Sequence, residues 1–288
     1  MALALALLST LGFGIALVTG RMGLRTIDAR SGAAISIPTA AVLFLVTAPF
    51  MLDLTAFDVR AALLFAVVGL FFPAVVTLLT FRSNELLGPT VTGAVSGTAP
   101  LFALLGAALF LDEQIPAHAT ISAAGVVAGV ALLSWRKDGA LPMRFVGWPL
   151  LWPLAGAIVR GLAQVGAKAG LLLWGNPFAA GLIGYTISSA TVISADRLRR
   201  GKPKLTASAA AWFAATGVLN GGALLLLYCA LSRAPVWMVA PVVAGYPLVT
   251  ALASAVLLRD EKLSLRVVAG AAITVLAIAW LVAAHEGR

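Results

Sequence analysis

The sequence predicts an all-α integral membrane protein, with ten transmembrane helices in two inverted repeats of five helices. Three observations lead to this fold class. The 288-residue chain is 61% hydrophobic and 11% charged, whereas a soluble chain is about 45–50% apolar and about 25% charged. Its apolar residues come in runs long enough to cross a hydrocarbon core of about 30 Å. Much of the sequence then recurs at a fixed offset.

The predicted spans account for nearly the whole chain. The first span begins at the N-terminus, because the run from Met1 to Gly20 carries no charge and is longer than the apolar core of a signal peptide, about 7–15 residues. The ten predicted spans are 2–24, 32–53, 60–81, 88–111, 117–135, 147–173, 176–196, 207–230, 235–258 and 264–284.

The internal repeat is clearest in the fourth and fifth spans. The stretch from Gly88 to Trp135 recurs from Pro235 to Leu281. Each copy has a proline near the middle of its first apolar run, an Asp-Glu corner, and a second run rich in Gly and Ala. Upstream matches at the same offset predict two complete repeats, at residues 1–136 and 146–288. Matched pairs are Val18/Val165, Arg21/Lys168, Gly23/Gly170, Pro100/Pro247 and Leu101/Leu248 at an offset of 147, and Asp112-Glu113/Asp260-Glu261 at 148.

An odd number of spans in each repeat has a geometric consequence. The second repeat must enter the membrane from the opposite side, so the two halves are inverted. Inverted repeats are a recurring plan of secondary transporters, whose solute site lies near the midplane between the halves. A duplicated channel or intramembrane enzyme has the same sequence signature, but the pattern favours a transporter.

The basic residues predict the orientation. Fifteen Lys and Arg residues lie in loops that follow odd-numbered spans, whereas the other loops and the C-terminus hold Arg60, Arg233 and Arg288, with Lys168 as a further candidate. The positive-inside rule therefore places the odd loops in the cytoplasm and both termini outside. The fifteen are Arg21, Arg25, Arg30, Arg82, Arg136, Lys137, Arg144, Arg197, Arg199, Arg200, Lys202, Lys204, Arg259, Lys262 and Arg266.

Arg160 is the candidate binding residue with the clearest signal. It lies half-way along the sixth span, where an ionisable group costs about 2.5–3.5 kcal/mol to insert and usually faces a cavity or a partner. Gln164 and Lys168 follow at helical spacing, so the three share one face. Arg160 either binds an anionic group of the solute or snorkels to a backbone carbonyl. Lys168 is interpreted as marking the membrane edge, since its repeat mate Arg21 also ends a span.

The acidic residues are all placed in predicted loops or at span ends, so no carboxylate is available at the midplane for a proton or a lipophilic cation. A cavity that holds Arg160 and no acid favours a solute that carries a carboxylate or phosphate. The eleven acidic residues are Asp28, Asp53, Asp58, Glu85, Asp112, Glu113, Asp138, Asp196, Asp260, Glu261 and Glu286.

Pro100 and Pro247 occupy matched places in the fourth and ninth spans. A proline removes a helical hydrogen bond and kinks the helix, and a matched pair of interrupted helices points to a transporter site. The alternative is a purely structural kink. Neighbouring polar side chains that a solute could contact are Ser96, Thr98 and Tyr246, with Thr77 in the third span and Asn220 in the eighth.

Two further features have plain structural interpretations. The Asp-Glu corners are predicted to cap helices or to carry interface charge. Gly125 and Gly129 form a small-xxx-small face in the fifth span, which favours either close packing within the chain or a homodimer through helices five and ten.

The signals for other functions are weak. His118 and His285 lie at span ends, and Ser96-Gly97 lacks the preceding glycine of an intramembrane serine protease motif. The single Cys229 excludes a disulfide framework and a cysteine metal site. We therefore predict no enzyme, no cofactor and no resident metal. The net charge of +9 is assigned to orientation and contact with the lipid bilayer rather than to nucleic acid.

The two copies PLFALLGAALFLDEQIP and PLVTALASAVLLRDEKLS, each followed by a small-residue helix, resemble the EamA branch of the drug/metabolite transporter superfamily. The resemblance covers nearly the whole chain. It implies ten helices in two inverted EamA-like halves, a central cavity, and transport, often export, of amino acids or other small metabolites. The chain lacks the glutamate that related small multidrug proteins carry in their first helix, which argues against proton-coupled multidrug efflux.

These observations together predict a multi-pass carrier of the cell (inner) membrane that exports a small metabolite, such as an amino acid or organic anion, by alternating access. Arg160 and Gln164 would bind the solute with Thr77, Ser96, Thr98, Asn220 and Tyr246, and the kinks at Pro100 and Pro247 would gate. The alternative is a membrane sensor or protein-interaction partner that has the same fold and transports nothing.

Overall fold

A computed structural model describes residues 1–133, 148–197, 206–257 and 265–286. Within these ranges the chain is helical, contains no strand, and forms twelve α-helices and one 3-10 turn at Trp148–Leu150. The α-helices are α1 Ala2–Leu24, α2 Ala29–Met51, α3 Val59–Phe71, α4 Ala74–Ser96, α5 Ala99–Phe110, α6 Ala117–Leu133, α7 Leu151–Leu173, α8 Pro177–Arg197, α9 Ala207–Leu231, α10 Val236–Val243, α11 Tyr246–Leu257 and α12 Leu265–Glu286.

The apolar helices make the chain a multi-pass integral membrane protein. Seven segments in the described ranges are long and apolar enough to cross a bilayer. Three shorter apolar helices, at Ala99–Phe110, Ala117–Leu132 and Val268–Ala284, lie where the fourth, fifth and tenth spans are predicted. The total of ten spans stays a prediction.

Polar side chains fix where several helices begin. Asp28 accepts a hydrogen bond from the Ser31 N–H at 2.9 Å, and Asp58 accepts one from the Ala61 N–H at 2.9 Å. Each carboxylate thereby satisfies one of the unpaired N–H groups in the first turn of its helix. Thr206 caps α9 in the same way. These helix starts are encoded locally by residues that the sequence places just before an apolar run.

The third predicted span, 60–81, agrees with the membrane-length segment Val59–Ser83, but the loop predicted after it is wrong. The third span is interrupted between α3 and α4 at Pro73, consistent with the tendency of helices to end before proline. Helix α4 then continues to Ser96, so residues 82–87, predicted to be a loop, are helical. Glu85 therefore lies in a helix and not in a loop. Polar residues end an apolar run, but residues 82–87 contain no Gly or Pro that would end a helix.

Several predicted features lie outside the described residues. They are the Asp260-Glu261 corner, the link between the two predicted repeats, and ten of the basic residues used for orientation, namely Arg136, Lys137, Arg144, Arg199, Arg200, Lys202, Lys204, Arg259, Lys262 and Arg288.

The chain divides into two compact packing units. Unit 1 comprises Met1–Leu78 and Gly166–Ala234, and unit 2 comprises Leu79–Val165 and Pro235–Arg288. The division falls inside α4 and α7, and each unit draws on both halves of the chain. The packing units therefore differ from the two sequence repeats, whose boundaries at 1–136 and 146–288 stay a prediction.

Unit 1 is built around helices that approach each other closely. The Ser9 hydroxyl donates to the Ala223 carbonyl at 2.8 Å, and the hydroxyls of Thr19 and Thr216 lie 2.8 Å apart. Residue numbers therefore rise along α1 as they fall along α9, so these two helices are antiparallel. The buried Phe213 ring fills the space over Gly23 and Gly32, which have no side chain to exclude it.

In unit 2, α6 and α12 also pack as an antiparallel pair. A Cβ on Gly129 would meet Thr274 and the Gly270 carbonyl, and a Cβ on Gly125 would lie 2.9 Å from the Ala277 Cβ. The small-residue face predicted in the fifth span is therefore used for close packing within the chain. A homodimer through helices five and ten stays a prediction that this face does not support.

Candidate functional site

Unit 2 contains two interrupted helices with matching local geometry. Between α4 and α5, the Thr98 N–H donates to the Val95 carbonyl at 3.1 Å and the Leu101 N–H donates to the Thr98 carbonyl at 3.0 Å. The corresponding bonds between α10 and α11 are Gly245 N–H to Val242 at 3.1 Å and Leu248 N–H to Gly245 at 3.0 Å. The hydrogen-bonded residues of the first break, Val95, Thr98 and Leu101, therefore correspond to Val242, Gly245 and Leu248 of the second. The offset of 147 residues is that of the sequence repeat.

Each break is followed at once by one of the two predicted prolines. Pro100 is the second residue of α5, and Pro247 is the second residue of α11. Proline suits the first turn of a helix, because its missing N–H has no intrahelical partner there. The structure therefore places both prolines at the start of a new helix, after an interruption, rather than within a bent one. Both new N-termini carry the partial positive charge of a helix dipole.

Arg160 lies beside the second break. Its guanidinium carbon is 5.2 Å from the centre of the Tyr246 ring, and Tyr246 is the first residue of α11. The tyrosine is buried, while the arginine is half-buried along α7. A guanidinium at this distance from an aromatic ring is stabilised by the ring quadrupole. The contact keeps the charge of Arg160 next to the positive end of α11.

Gly161 brings the same part of α7 against the first turn of α5. A Cβ at this position would lie 2.7 Å from the Ala99 carbonyl oxygen and 2.8 Å from the Ala103 nitrogen, so only a glycine allows this approach. Arg160 is the neighbouring residue. The two residues together place α7 next to both interrupted helices within unit 2.

Gln164 lies one turn further along α7 and is 4% exposed. Its Oε1 atom has no hydrogen-bond partner within the described part of the chain. A buried amide oxygen without a donor is costly, so this atom is suited to accept a hydrogen bond from a bound molecule or from water. Ser96 is also buried, and the Thr98 hydroxyl donates to the Val95 carbonyl at 2.7 Å.

The structure does not place all the predicted site residues in one unit. Arg160, Gln164 and Tyr246 belong to unit 2, as do Ser96, Thr98 and both prolines. Thr77 lies in the first turn of α4 and Asn220 in α9, both half-buried and both in unit 1. The candidate site is therefore defined here by Arg160, Gln164 and Tyr246 with the first turns of α5 and α11.

Lys168 has a different environment from Arg160. Its ammonium group donates to the Leu231 carbonyl at 2.7 Å and to the Ala234 carbonyl at 3.1 Å. These carbonyls lie at and just beyond the last residue of α9, where a cation complements the helix dipole. Lys168 is thus an anchor within unit 1, in keeping with its structural interpretation.

The candidate site has the chemistry of an anion site. A guanidinium and two helix N-termini all favour negative charge, because a helix N-terminus is the positive end of the helix dipole. Among the described residues, no group of three or more His, Cys, Asp or Glu side chains could hold a metal ion. The positive charge of Arg160 and of these two helix N-termini can bind the carboxylate or the phosphate of a solute.

One residue of the site is missing from the sequence prediction. Gly161 decides how closely α7 approaches α5, but a glycine in a membrane span is too common to be singled out. The signal that could have identified Gly161 is its position directly after Arg160, an arginine in the middle of a predicted span.

Comparisons with known proteins agree with this architecture. The model of the EamA-like transporter family matches residues 1–135 and again residues 147–283. Among 28 matching chains of solved structures, one crystal structure superimposes with a TM-score of 0.79 at 16% identity, covering 100% of this chain and 99% of that chain. Identity at this level shows a shared fold alone. The comparison with curated proteins gave no match. Since the family model covers nearly the whole sequence, the chain belongs to the EamA-like transporter family, whose members are membrane transporters of the drug/metabolite type.

Proposed function

We propose that the protein exports a small metabolite with an anionic group, such as an amino acid or an organic acid, by alternating access. The observation that carries this proposal is the contact of Arg160 with Tyr246 at the start of α11. It places a half-buried cation beside the first residue of a helix that follows a break. An ionisable group within a membrane span usually faces a cavity or a partner, and a solute with an anionic group suits this charge.

The roles of the individual residues follow from their chemistry. Arg160 would bind the carboxylate along the edge of its guanidinium, which is suited to bidentate contacts. Gln164 would accept a hydrogen bond from the solute through Oε1. The Tyr246, Ser96 and Thr98 hydroxyls of the same unit would supply further polar contacts. The breaks before Pro100 and Pro247 would change conformation as the site opens.

The matched breaks also support two inverted repeats and ten spans. The same pair of hydrogen bonds recurs after 147 residues, and the family model matches each half of the chain separately. The fifth and tenth predicted spans pack antiparallel, as expected for equivalent helices of inverted repeats. Alternating access in such proteins exchanges the side from which one central site is reached.

Two contacts bring together chain segments that the predicted topology places on one side of the membrane, and the choice of that side rests on the Lys and Arg residues alone. Asn176 donates to the Asp53 carbonyl at 2.6 Å, which joins the loops after the sixth and second predicted spans. Glu113 accepts from the Val236 N–H, which joins the loops after the fourth and eighth. Each contact pairs two loops that the charge bias places outside the inner membrane. A reporter fused after Arg288 that is active only in the cytoplasm would contradict both termini being outside.

The test is a thermal-shift screen of the purified protein in detergent. The panel contains amino acids, organic acids, nucleotides and cationic drugs, each run on the parent chain and on Arg160→Met. A ligand that binds the folded state alone raises stability by about 2.7 kcal/mol at 100 times its dissociation constant. An anionic or zwitterionic compound should stabilise the parent and not the variant. Stabilisation by cations alone would overturn the proposal.

Transport itself needs a second experiment, because a membrane sensor with the same fold is the alternative. The stabilising compound is loaded in labelled form into proteoliposomes, with and without the protein. A transporter accelerates its exchange, whereas a sensor binds it and leaves the flux unchanged. Inside-out vesicles should accumulate the compound if the direction is export. Cross-linking between copies through α6 or α12 would test the homodimer.

A further inference from the structure

Glu113 connects the end of one helix to the beginning of another that is remote in sequence. The Val236 N–H donates to both oxygens of its carboxylate at 3.0 Å, and the Trp237 N–H donates to Oε2 at 3.4 Å. These are the first two residues of α10. The Glu113 N–H donates to the Ala107 carbonyl at 3.2 Å. One residue therefore ties the C-terminus of α5 to the N-terminus of α10 within unit 2.

The backbone next to Glu113 positions its carboxylate for the hydrogen bonds to α10. Asp112 adopts a positive φ of 53°, which turns the chain at the end of α5 and directs Glu113 toward α10. A carboxylate at a helix N-terminus satisfies unpaired N–H groups and complements the dipole. Because its acceptor is ionised, these hydrogen bonds are roughly twice as strong as neutral ones.

A second proton-accepting group contacts the same tryptophan. The ring of His118 lies 5.6 Å from the ring of Trp237, and 6.5 Å from that of Trp280. His118 is 8% exposed, and its Nε2 has no hydrogen-bond partner among the described residues. The Trp237 N–H thus donates to the Glu113 carboxylate, and the Trp237 ring contacts the His118 ring, whose buried Nε2 has no hydrogen-bond partner among the described residues.

The far end of α10 leads to the candidate site. Helix α10 has eight residues, all buried, and spans about 12 Å at 1.5 Å per residue. It ends at Val243, and Tyr246 follows after the break. A displacement of α10 at Glu113 would therefore be transmitted to the residue that contacts Arg160.

We propose that the Glu113 carboxylate is a proton site that controls the position of α10. When Glu113 is ionised, it holds the N-terminus of α10 against the end of α5. Binding of a proton from solvent forms an O–H bond, cancels the charge and weakens the hydrogen bonds from Val236 and Trp237. The helix is then released and the break at Tyr246 becomes accessible. The proton thereby regulates access to the break next to Arg160.

The ionisable groups around Glu113 are few. Helices α5 and α10 contain none, α6 contains His118, and the corner itself contains the exposed Asp112. Helix α12 carries Arg266, His285 and Glu286 near its ends. Arg233 precedes α10 in the chain and donates to the Cys229 carbonyl at 2.8 Å.

The experiment follows the accessibility of the α10–α11 break. The sole cysteine is removed by Cys229→Ala, and Ala244→Cys introduces a thiol at the buried C-cap of α10. The rate of labelling with an uncharged maleimide is measured for this parent and for parent plus Glu113→Gln, always at the same pH. The ratio of the two rates cancels the pH dependence of the thiol itself.

At about pH 7.5 the Glu113→Gln protein should be labelled at least about fivefold faster, because the neutral side chain mimics the protonated state. As the pH is lowered, the ratio should fall toward about 1, because Glu113 of the parent then also takes up a proton. An equal rate at neutral pH, or a ratio that does not change with pH, overturns the proposal.

Two further variants separate release of α10 from a general loss of stability. Asp58→Asn removes the matched carboxylate cap of α3, where Asp58 accepts from the Ala61 N–H at 2.9 Å, and should leave the labelling rate unchanged. An equal increase in the labelling rate of Asp58→Asn overturns the proposal.

Val236→Pro deletes the N–H that Glu113 binds and keeps Glu113 itself. Pro235 already has φ −67° and ψ 158°, a conformation that a following proline accepts. It should label as fast as Glu113→Gln, and a parent-like rate contradicts the proposal.

The labelling requires no solute. A failure of the proton site is therefore distinguishable from a failure of the proposed anion transport, and each result can be obtained without the other.

Discussion

Arg160 and Lys168 lie two turns apart on α7, yet the structure uses their charges differently. The Lys168 ammonium is held by two backbone carbonyls at the end of α9. The Arg160 guanidinium lies over the face of Tyr246 at the beginning of α11. The ammonium is thus stabilised by hydrogen bonds to carbonyls, whereas the guanidinium is stabilised by the quadrupole of an aromatic ring. The comparison teaches that a cation within a membrane span is either an anchor or a binding group, and that its neighbours decide which.

Buried polar side chains show the same two uses. Ser9 and Ser188 in unit 1 donate to backbone carbonyls of neighbouring helices, as Ser122 does in unit 2. Gln164 and His118 in unit 2, and Ser36 in unit 1, carry buried polar atoms with no partner among the described residues. Satisfied polar groups hold helices together, whereas an unsatisfied group is suited to bind a ligand or water. Unit 2 also contains the two matched helix breaks.

The largest effect is expected for substitutions of Arg160. Arg160→Met should weaken binding of the stabilising anion at least about 100-fold, because a charge-assisted bidentate contact is lost. Arg160→Lys should recover part of that affinity, since it restores the charge but not the planar fork. Titration followed by thermal shift measures both. Unchanged affinity in Arg160→Met would mean that Arg160 is an anchor like Lys168.

Gly161 tests whether the approach of α7 to α5 forms the site. In Gly161→Ala the new Cβ meets the backbone of Ala99 and Ala103, so α7 must move away. We expect a loss of about 1–3 kcal/mol in the free energy of unfolding, as for other overpacked positions, together with weaker anion binding.

The matched control for that substitution is Gly222→Ala. A Cβ on Gly222 would have no atom within 4 Å, and alanine has the higher helix propensity. The control should unfold at the same temperature or slightly higher, with unchanged binding. If both variants lose stability equally, the effect comes from glycine in membrane helices generally and not from the contact with α5.

Lys168→Met should show the opposite pattern to Arg160→Met. Removing the ammonium leaves the Leu231 and Ala234 carbonyls without this donor, which should cost about 1–3 kcal/mol of folding stability. The unfolding midpoint should fall by several degrees, while the shift produced by a saturating anion should persist. Loss of the anion-induced shift with normal stability would make Lys168 a binding residue and break the comparison.

The sequence is sufficient to predict the features that repeat. Pro100 and Pro247 share the offset of 147 residues, and the structure places a matching helix break before each. The position of Arg160 on α7 is likewise predicted by its spacing in an apolar run. Tertiary contacts are beyond this kind of inference. The Asp-Glu corner is predicted to cap a helix, but no local pattern identifies Val236, 123 residues away, as the partner of Glu113. The contact of Gly161 with α5 has no local pattern either.

The boundary error at residues 82–87 has a similar cause. Hydropathy shows where the chain leaves the hydrocarbon core of the bilayer, and it therefore places Arg82 and Glu85 in a loop. The ends of α4 follow the backbone and not the polarity: the helix begins after Pro73, continues through Gly88 and Pro89, and ends before Gly97. A membrane span and a helix are different units, and the two need not share their ends.

The smallest effect is expected for Asp53, a charged residue that neither anchors nor binds. Its carboxylate is fully solvent-exposed, and its pKa is lowered by the hydrogen bonds from Thr55, the side-chain contact first and the backbone N–H at 2.8 Å second. A lowered pKa in the folded state stabilises the protein above the ordinary aspartate value, and the contribution is lost as the pH falls through the lowered value. Asp53→Asn should therefore change the unfolding midpoint by at most about 1 °C at neutral pH and by less in acid.

Asp53→Asn also makes the chain one charge more positive, whereas Arg160→Met makes it one charge less positive. If Asp53→Asn tightened anion binding as much as Arg160→Met weakened it, the anion would be responding to net charge, and the assignment of binding to Arg160 would be wrong.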